Sequence, residues 1–366
     1  MFLRRRDLLI SALGAGVSLL PSRAQAAPLT GIDVLDLPAI PVKNPGGVLL
    51  VAITRAGGRL VAVGEHGVIV FSDDNGIHWS QAVVPVSVTF TSVAFATPVL
   101  GWAAGHSGVI VATSDGGESW HLQLNGIQAN RLTLAAAEDP NIQKVPAPGV
   151  AFAMRRANFF VQAGPDKPFL SILIFSPQKV MVFGAYRMTM LTLDGGKTWM
   201  DWSLHIYDRL SHNIYDAAFV GSSIFLAVEE GLVFRSTDAG GSFLPVASPA
   251  PSTLFGIIGA DDGSVIAFGV AGSCYRSVDE GKSWTQVSID TQDNLAAGSK
   301  LAPSGEILLA GLSGALYISR DNGKCFVPVS HIPPFSIFDI DQTADGTVVF
   351  VGSGGAVSLP LAAIKS

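Results

Sequence analysis

The chain has 366 residues, of which 48% are hydrophobic and 14% are charged, and its formal net charge is −6 at pH 7. A weakly acidic chain lacks the basic stripe that nucleic-acid binding requires, so we expect no nucleic-acid partner. Its length fits one large all-β domain or two ordinary ones.

The N-terminal stretch MFLRRRDLLISALGAGVSLLPSRAQAAP has the order of an export signal: a basic start, a short apolar run and a small-residue cleavage site. Arg5 and Arg6 resemble the twin-arginine type, and the triplet AQA ends at Ala26. We therefore predict a signal peptide at residues 1–26 that is cleaved near Ala26. Export would place the mature chain, residues 27–366, in the periplasm as a single domain.

The pattern Ser/Thr-x-Asp-x-Gly-x-x-Trp/Phe occurs six times, with steps of 41, 79, 44, 41 and 42 residues between successive aspartates. A period of this size indicates a repeat architecture. Asp and Gly at this spacing predict a tight turn, because Asp bonds nearby backbone and Gly accepts positive φ. We assign these aspartates a structural role, since six identical catalytic sites in one ring are implausible. They are Asp74, Asp115, Asp194, Asp238, Asp279 and Asp321.

A Gly-x-x-Gly turn and apolar runs precede most copies, which predicts four short antiparallel strands in about 40 residues. Units of this kind are propeller blades. The last stretch, residues 336–361, supplies three strands and has no Asp-Gly turn. We expect the N-terminal run GIDVLDLPA, residues 31–39, to supply the missing strand and close the last blade. The predicted fold is therefore an all-β, seven-bladed β-propeller.

The step of 79 residues leaves a surplus between blades 2 and 3, at about residues 124–167. An eighth blade is one interpretation. The segment contains neither a Gly-x-x-Gly nor an Asp-Gly turn, and its Ala-rich pieces flank a Pro-rich link. This composition favours a partly helical insertion.

The repeat S-x-D-x-G-x-x-W is the Asp box, and the whole mature chain resembles the photosystem II stability and assembly factor family. The resemblance is carried by the boxes DGGKTW and DEGKSW and by the preceding VFGAYRMTMLT and AGSCYRS. It implies an exported scaffold, without cofactor or catalytic residues, that helps assemble a membrane protein complex. The family also has an arginine patch, to which a partial stripe of arginines could correspond; strand arginines that cover blade edges are the alternative. These arginines are Arg187, Arg235, Arg276 and Arg320.

Propeller connectivity places the Gly-x-x-Gly turns and the blade-to-blade connections on one face, and the Asp boxes on the other. We call the first of these the connection face and expect a partner to bind there, because loops on a rigid scaffold commonly carry function. The expected partner is a membrane protein complex or a transporter subunit, bound by a monomer. The candidate binding residues are Arg155, Arg156, Asp166, Lys167, Tyr186, Arg187, His205, Tyr207, Arg209, His212 and Glu229.

Other interpretations stay open. A glycosidase would need paired carboxylates, for which Asp166, Asp208, Glu229 and Glu230 are candidates. Histidines in the turns, such as His66, lack tight ligand spacing, so we predict no metal site. Two cysteines at different positions of their repeats, Cys274 and Cys325, are expected to be free thiols.

Overall fold

The computed structural model describes residues 34–139, 150–330 and 335–364. In these ranges the strands form seven antiparallel sheets, arranged in sequence order. The innermost strand of each sheet packs against those of its two neighbours, and the last packs against the first, so the sheets close into a ring. The predicted seven-bladed propeller is confirmed, and the described residues contain no eighth blade. From the innermost strand outward, the blades are β1 (Leu50–Ala56), β2 (Arg59–Gly64), β3 (Ile69–Ser72) and β4 (Ser80–Gln81); β5 (Phe90–Phe95), β6 (Gly101–Gly105), β7 (Ile110–Thr113) and β8 (His121–Leu124); β9 (Phe169–Ile174), β10 (Val180–Gly184), β11 (Thr189–Thr192) and β12 (Met200–Asp201); β13 (Ile214–Val220), β14 (Ser223–Val228), β15 (Val233–Ser236) and β16 (Leu244–Pro245); β17 (Leu254–Gly259), β18 (Val265–Gly269), β19 (Cys274–Ser277) and β20 (Thr285–Gln286); β21 (Leu295–Lys300), β22 (Ile307–Gly311), β23 (Leu316–Ser319) and β24 (Val327–Pro328); and β25 (Ile337–Gln342), β26 (Val348–Gly352) and β27 (Gly355–Leu359).

The Asp boxes fasten the outer hairpin of six blades through the same set of hydrogen bonds. In the first box Ser72 Oγ donates to Asp74 Oδ1 at 2.8 Å and accepts from the Gly76 N–H at 2.9 Å. The carboxylate of Asp74 also accepts from the backbone N–H of His78 at 2.8 Å. These bonds to the charged form lower the pKa of Asp74 to about 2. The predicted structural role of the aspartates agrees with this geometry.

The aromatic residue of each box packs toward the preceding blade. Phe243 of blade 4 is fully buried, and its ring meets Phe183 of blade 3 edge-on at 5.9 Å. Trp199 of blade 3 lies in one core cluster with Trp102 of blade 2. Burial of side chains of this size contributes roughly 2–3 kcal/mol each, so the boxes stabilise the contacts between blades as well as their own hairpins.

A second contact repeats around the rim that carries the Asp boxes. The residue after each box aspartate has a positive φ, which turns its backbone outward. At five junctions a side chain of one blade donates to the carbonyl of that residue in the next blade, and at a sixth Arg235 contacts the Glu280 carboxylate at 2.8 Å. Of the predicted stripe of arginines, Arg235 and Arg276 make such inter-blade contacts, whereas Arg320 pairs with Glu306 of its own blade and Arg187 bonds Ile206 O on the connection face. The five carbonyl contacts are Arg59 to Gly116, Gln123 to Gly195, Lys179 to Ala239, Arg276 to Asn322 and Ser358 to Asn75.

The predicted closure by an N-terminal strand is wrong for the described part of that segment. The last sheet has three strands, β25, β26 and β27, within the residues that the structure describes. Residues 34–39 form no strand, and the backbone of Ala39 donates instead to Val84 O beside blade 1 at 3.0 Å. Pro38 and Pro41 lack the N–H groups that a ladder needs. Residues 1–33, with the predicted signal peptide and the start of this run, lie outside the described residues.

Side-chain contacts join blade 7 to blade 1. Val349 and Val351 of β26 share a core cluster with Leu50 and Leu60. The carboxylate of Asp339 accepts a hydrogen bond from the Ile53 N–H of β1 at 2.9 Å. Among the residues from 34 onward that the structure describes, the ring is thus closed by packing and polar contacts between sheets, without a shared sheet.

The insertion between β8 and β9 contains two helices in its described part, α1 (Gly126–Glu138) and α2 (Val150–Ala163). Asn125 caps α1, since its side chain accepts from the Gln128 N–H while Gln128 bonds back to the cap. Asn130 of α1 donates to Phe160 O and Gly164 O at 2.9 and 3.0 Å, which ties the helices together. Phe160 is fully buried against blades 2 and 3. The predicted helical insertion is therefore a packed part of the propeller.

A four-residue helix, α3 (Leu361–Ile364), follows the last strand. No helix in the described ranges is long and apolar enough to cross a membrane. Cys274 is buried and Cys325 is exposed, and both are free, as predicted. Burial raises the pKa of the Cys274 thiol to about 12.

Candidate functional site

The insertion lies on the connection face, as the connectivity predicts. The Gly108 N–H in the turn of blade 2 donates to Lys167 O at 2.9 Å, and the Ala185 N–H in the turn of blade 3 donates to Pro168 O at 3.0 Å. The blade 3 turn also contacts the next connection, because the Tyr186 N–H donates to Asn213 Oδ1 at 2.9 Å. The two longest connections are therefore brought to one sector, above blades 3 and 4.

Arg187 occupies a position that carries glycine in the other six blades, where the φ of that residue is positive. Arg187 has a φ of 60°, which costs a residue with a Cβ about 1 kcal/mol. Its side chain is fully buried and donates through Nη1 to Ile206 O at 3.2 Å and to Asp208 O. Among the described residues Nε and Nη2 have no hydrogen-bond partner. Burial, with Arg156 nearby, lowers the pKa of Arg187 to about 10.

Arg156 reaches from α2 into the same interior. Its guanidinium lies 3.6 Å from the Asp201 carboxylate and also donates to Ser203 Oγ and, at 3.3 Å, to Tyr186 O. Asp201 also accepts from Thr133 Oγ1 of α1 at 2.6 Å. Burial lowers the pKa of Arg156, although Asp201 opposes the change. Arg156 and Asp201 therefore connect both insertion helices to blade 3.

Asp208 fixes the backbone of the connection between β12 and β13, in which it lies. Its Oδ1 accepts from the Leu210 N–H at 2.9 Å, and its Oδ2 accepts from the His212 N–H at 2.6 Å. Burial opposes the charge of Asp208, but these bonds and the His212 ring outweigh it and lower its pKa. Residues 207–211, which we call the connection tip, are held outward by this carboxylate. Tyr207 and Leu210 there are 37% and 73% exposed, so an aromatic and an aliphatic group face solvent.

His212 links the connection tip to the turn of blade 4. Its Nδ1 lies 3.0 Å from Asp208 Oδ1 and its Nε2 lies 3.4 Å from Glu230 Oε2. The hydrogen bond with Asp208 is the main cause of a raised pKa for His212. Glu229 is half-buried and accepts from the Asn213 N–H at 3.3 Å.

The remaining predicted residues lie at the edge of this sector or outside it. His205 stacks on Trp202 with ring centroids 3.5 Å apart, and burial lowers its pKa. Arg209 is exposed at the connection tip, and Arg155 is exposed on α2. Lys167 is buried below the Phe160 ring and contacts the exposed Asp166. The structure therefore brings together Arg156, Tyr186, Arg187, Asp208, His212 and Glu229 and leaves Arg155 and Asp166 peripheral.

Sequence reasoning missed Asp201 and Ser203, which anchor Arg156. The sequence feature that could have indicated them is their position just after the blade 3 box, at the start of a long connection. Among residues 34–139, 150–330 and 335–364, no three His, Cys, Asp or Glu side chains are placed to share a metal ion. His106, one of the turn histidines, has a pKa lowered by burial.

Comparisons with known proteins place this geometry in a family. The model of the family described as photosynthesis system II assembly factor YCF48 matches residues 160–356, more than half of the chain. The photosystem II assembly protein Ycf48 of Thermosynechococcus vestitus is 29% identical over 131 residues, which are 35% of this chain and 27% of that protein. A photosystem II assembly lipoprotein Ycf48 of Synechococcus sp. is 29% identical over 34% of this chain and 36% of that protein. The chain thus matches about a third of the length of these relatives.

A solved structure described as YCF48 bound to D1 peptide has the same fold. It superposes with a TM-score of 0.60 at 18% sequence identity and covers 87% of this chain and 97% of that one. The family match and the seven-bladed ring agree with the resemblance noted in the Asp-box sequences. The chain belongs to the Ycf48 family of photosystem II assembly factors.

Proposed function

We propose that this chain is an exported, non-enzymatic assembly factor that binds a segment of a membrane protein complex subunit on its connection face, above blades 3 and 4. The family relationship supports the assembly role, and a relative bound to a D1 peptide supports a peptide segment as the ligand. Relatives described as lipoproteins, together with the signal-like N-terminus, support export. The mature propeller acts as a monomer in the periplasm.

One observation carries the location of the site: Arg187 is buried where six blades have glycine. A strained backbone and a buried charge with unpaired N–H groups are each destabilising, and such features persist where they serve a function. Arg187 bonds Asp208 O and so supports the connection tip from below. The tip in turn exposes Tyr207, a residue type enriched at the energetic centre of protein interfaces, together with the aliphatic side chain of Leu210.

The glycosidase alternative receives no support from the comparisons. Both carboxylate oxygens of Asp208 already accept hydrogen bonds from its own connection. An accessory role for an envelope transporter remains a second candidate partner class, and it makes the same use of the connection tip. The proposed function needs no catalytic step.

Site-specific photocrosslinking tests the proposal. A photoreactive residue is placed at Leu210, on the connection tip, and in a separate variant at Val278 in the blade 5 Asp box, which is equally exposed at 71%. We expect crosslinks to a membrane-complex subunit from position 210 and not from position 278. Crosslinks of equal yield from both, or none to membrane proteins, would refute the site. A transporter subunit captured only from position 210 would favour the second class of partner.

Leu210→Ser and Val278→Ser form a matched pair for affinity. Both replace an exposed aliphatic group, so neither should change the fold. Loss of a tip residue buried in an interface should weaken binding of the captured subunit about tenfold, since 1.4 kcal/mol corresponds to that factor. The Val278 variant should bind as the parent does.

A further inference from the structure

His212 is held between two carboxylates that belong to different elements. Asp208 lies on the same connection, 3.0 Å from Nδ1, whereas Glu230 lies on the blade 4 turn, 3.4 Å from Nε2. The imidazole is 9% exposed, while the Glu230 side chain is 70% exposed. His212 is thus the link between a buried acid and a surface acid.

The two contacts respond differently to loss of a proton. A protonated imidazole donates from both nitrogens, so it can bond Asp208 and Glu230 together. A neutral imidazole keeps one N–H, and Asp208, the closer and more buried acceptor, retains it at Nδ1. Nε2 then presents a lone pair to the Glu230 carboxylate, and two acceptors at 3.4 Å repel each other. Deprotonation therefore opens the Glu230 contact selectively.

Charges of both signs surround His212. Arg187 of the blade 3 turn bonds Asp208 O, and Arg156 of α2 interacts electrostatically with Asp208. These two cations oppose a third positive charge nearby. Glu229 accepts from the Asn213 N–H beside His212 and favours a cation there. Histidine is the side chain that changes charge near neutral pH, so small shifts move it across the physiological range.

The contact joins two segments whose backbones have positive φ. Ser211 has a φ of 58° in the connection tip, and Glu230 has a φ of 59° at a turn position that is also positive in blades 1, 2, 3 and 5. The tip carries the exposed Tyr207 and Leu210. A contact that closes or opens between these segments changes how firmly those side chains are presented.

We propose that His212 is a proton-dependent clasp that fixes the connection tip to blade 4 when protonated and releases it when neutral. This inference rests on the proposed function in one respect: the clasp makes presentation of the proposed binding surface depend on the pH outside the cytoplasm. The geometry determines the direction of the pH dependence. The contact is present at low pH and is lost as the pH rises through the raised pKa of His212.

Two measurements on the isolated protein test the clasp. The titration of His212 is followed by NMR, and hydrogen exchange of the backbone amides of residues 207–212 is compared between the parent and Glu230→Ala at each pH. Alanine removes the contact in both protonation states of His212, whereas glutamine could accept from or donate to Nε2. Glu280→Ala is the matched control, because Glu280 is also exposed, has a φ of 61° and pairs with a cation, Arg235.

We expect Glu230→Ala to weaken proton binding by His212 roughly tenfold, as removal of a nearby opposite charge does. It should also speed exchange in the tip at pH 6 and leave exchange unchanged at pH 9. Glu280→Ala should alter neither quantity. Equal exchange in the parent and Glu230→Ala at every pH, or equal effects of both variants, would overturn the clasp. Neither measurement contains a partner, so failure of the crosslinking experiment leaves this test intact, and failure of the clasp leaves the docking site intact.

Discussion

The carboxyl group of Asp339 should make this protein less stable at alkaline pH. Asp339 lies on β25 and is half-buried, with its oxygens accepting from the Ile53 and Ile340 N–H groups at 2.9 Å each. Burial is the main cause that raises its pKa to about 7, and the nearby Asp341 and Asp216 carboxylates add to the shift. The perturbation is Asp339→Asn, which keeps an oxygen acceptor for the Ile53 N–H and removes the charge.

The difference between the folded and unfolded pKa of Asp339 determines how stability changes with pH. A carboxyl whose folded pKa lies above its unfolded value contributes stability that is complete below the unfolded pKa, near 3.8, and is lost as pH rises through about 7. The full shift corresponds to about 4 kcal/mol at 1.36 kcal/mol per unit. Because Asp339 is only half-buried, solvent screens part of its charge. We therefore expect about 2 kcal/mol between pH 4.5 and pH 8.5.

Urea unfolding at pH 4.5 and pH 8.5 measures this difference. The parent should lose about 2 kcal/mol more than Asp339→Asn over the interval. Asp341→Asn should remove a smaller part, because the pKa of Asp341 is raised only to about 6 and the variant also loses the ion pair with Arg55 at 3.9 Å. An Asp339→Asn protein with the same pH dependence as the parent would show that this carboxyl is well solvated, and the reasoning would fail.

Three further predictions concern packing and the repeat contacts. Phe160→Ala removes a fully buried ring between the insertion and blades 2 and 3 and should cost about 3–5 kcal/mol in urea unfolding, whereas Phe159→Ala, at a ring that is 49% exposed, should cost much less. Arg276→Leu removes the donor at 2.8 Å from Asn322 O, which keeps only the longer bond from Ser264 Oγ at 3.5 Å, and also removes the ion pair with Asp262. The variant should lower the unfolding free energy by about 1 kcal/mol, with no change in crosslinking from position 210. Burial of Asp115 is outweighed by hydrogen bonds that lower its pKa to about 2. Its contribution to the free energy of unfolding is therefore present above about pH 4 and lost as pH falls toward 2. Asp115→Asn should reduce the loss of stability over that acidic range.

The ring itself was predictable because its repeat is redundant. Six boxes report the same hairpin, and any one of them could be misread without changing the period. The closure was not predictable in this way, because it is a single event at the chain ends. Alternation of apolar residues identifies a strand-like run, but it does not say which sheet edge the run joins. Pro38 and Pro41 were the available signal against a ladder.

The insertion shows a second limit. Arg155 and Arg156 are adjacent and identical, yet one is exposed and the other is 7% exposed beside Asp201. Helix periodicity separates neighbouring residues by about 100°, but it cannot say which side faces the protein. The direction is set by the contacts of Phe160 and Asn130, which fix the rotation of α2. Those contacts are tertiary, so no local pattern contains them.

Departure from the repeat is the stronger functional signal in a protein of this kind. On the Asp-box rim six blades present the same backbone carbonyl, and cations such as Arg276 and Lys179 donate to it from the preceding blade. On the connection face the turns are equally uniform in six blades, where glycine accepts the positive φ without strain. Blade 3 alone places a charged, strained and buried residue at that position. Stability favours glycine there, and the proposed function assigns Arg187 the role of supporting the connection tip through its bond to Asp208 O. Residues that carry a binding function in other propellers should be sought in the same way, at the turn whose conformation matches its neighbours while its side chain does not.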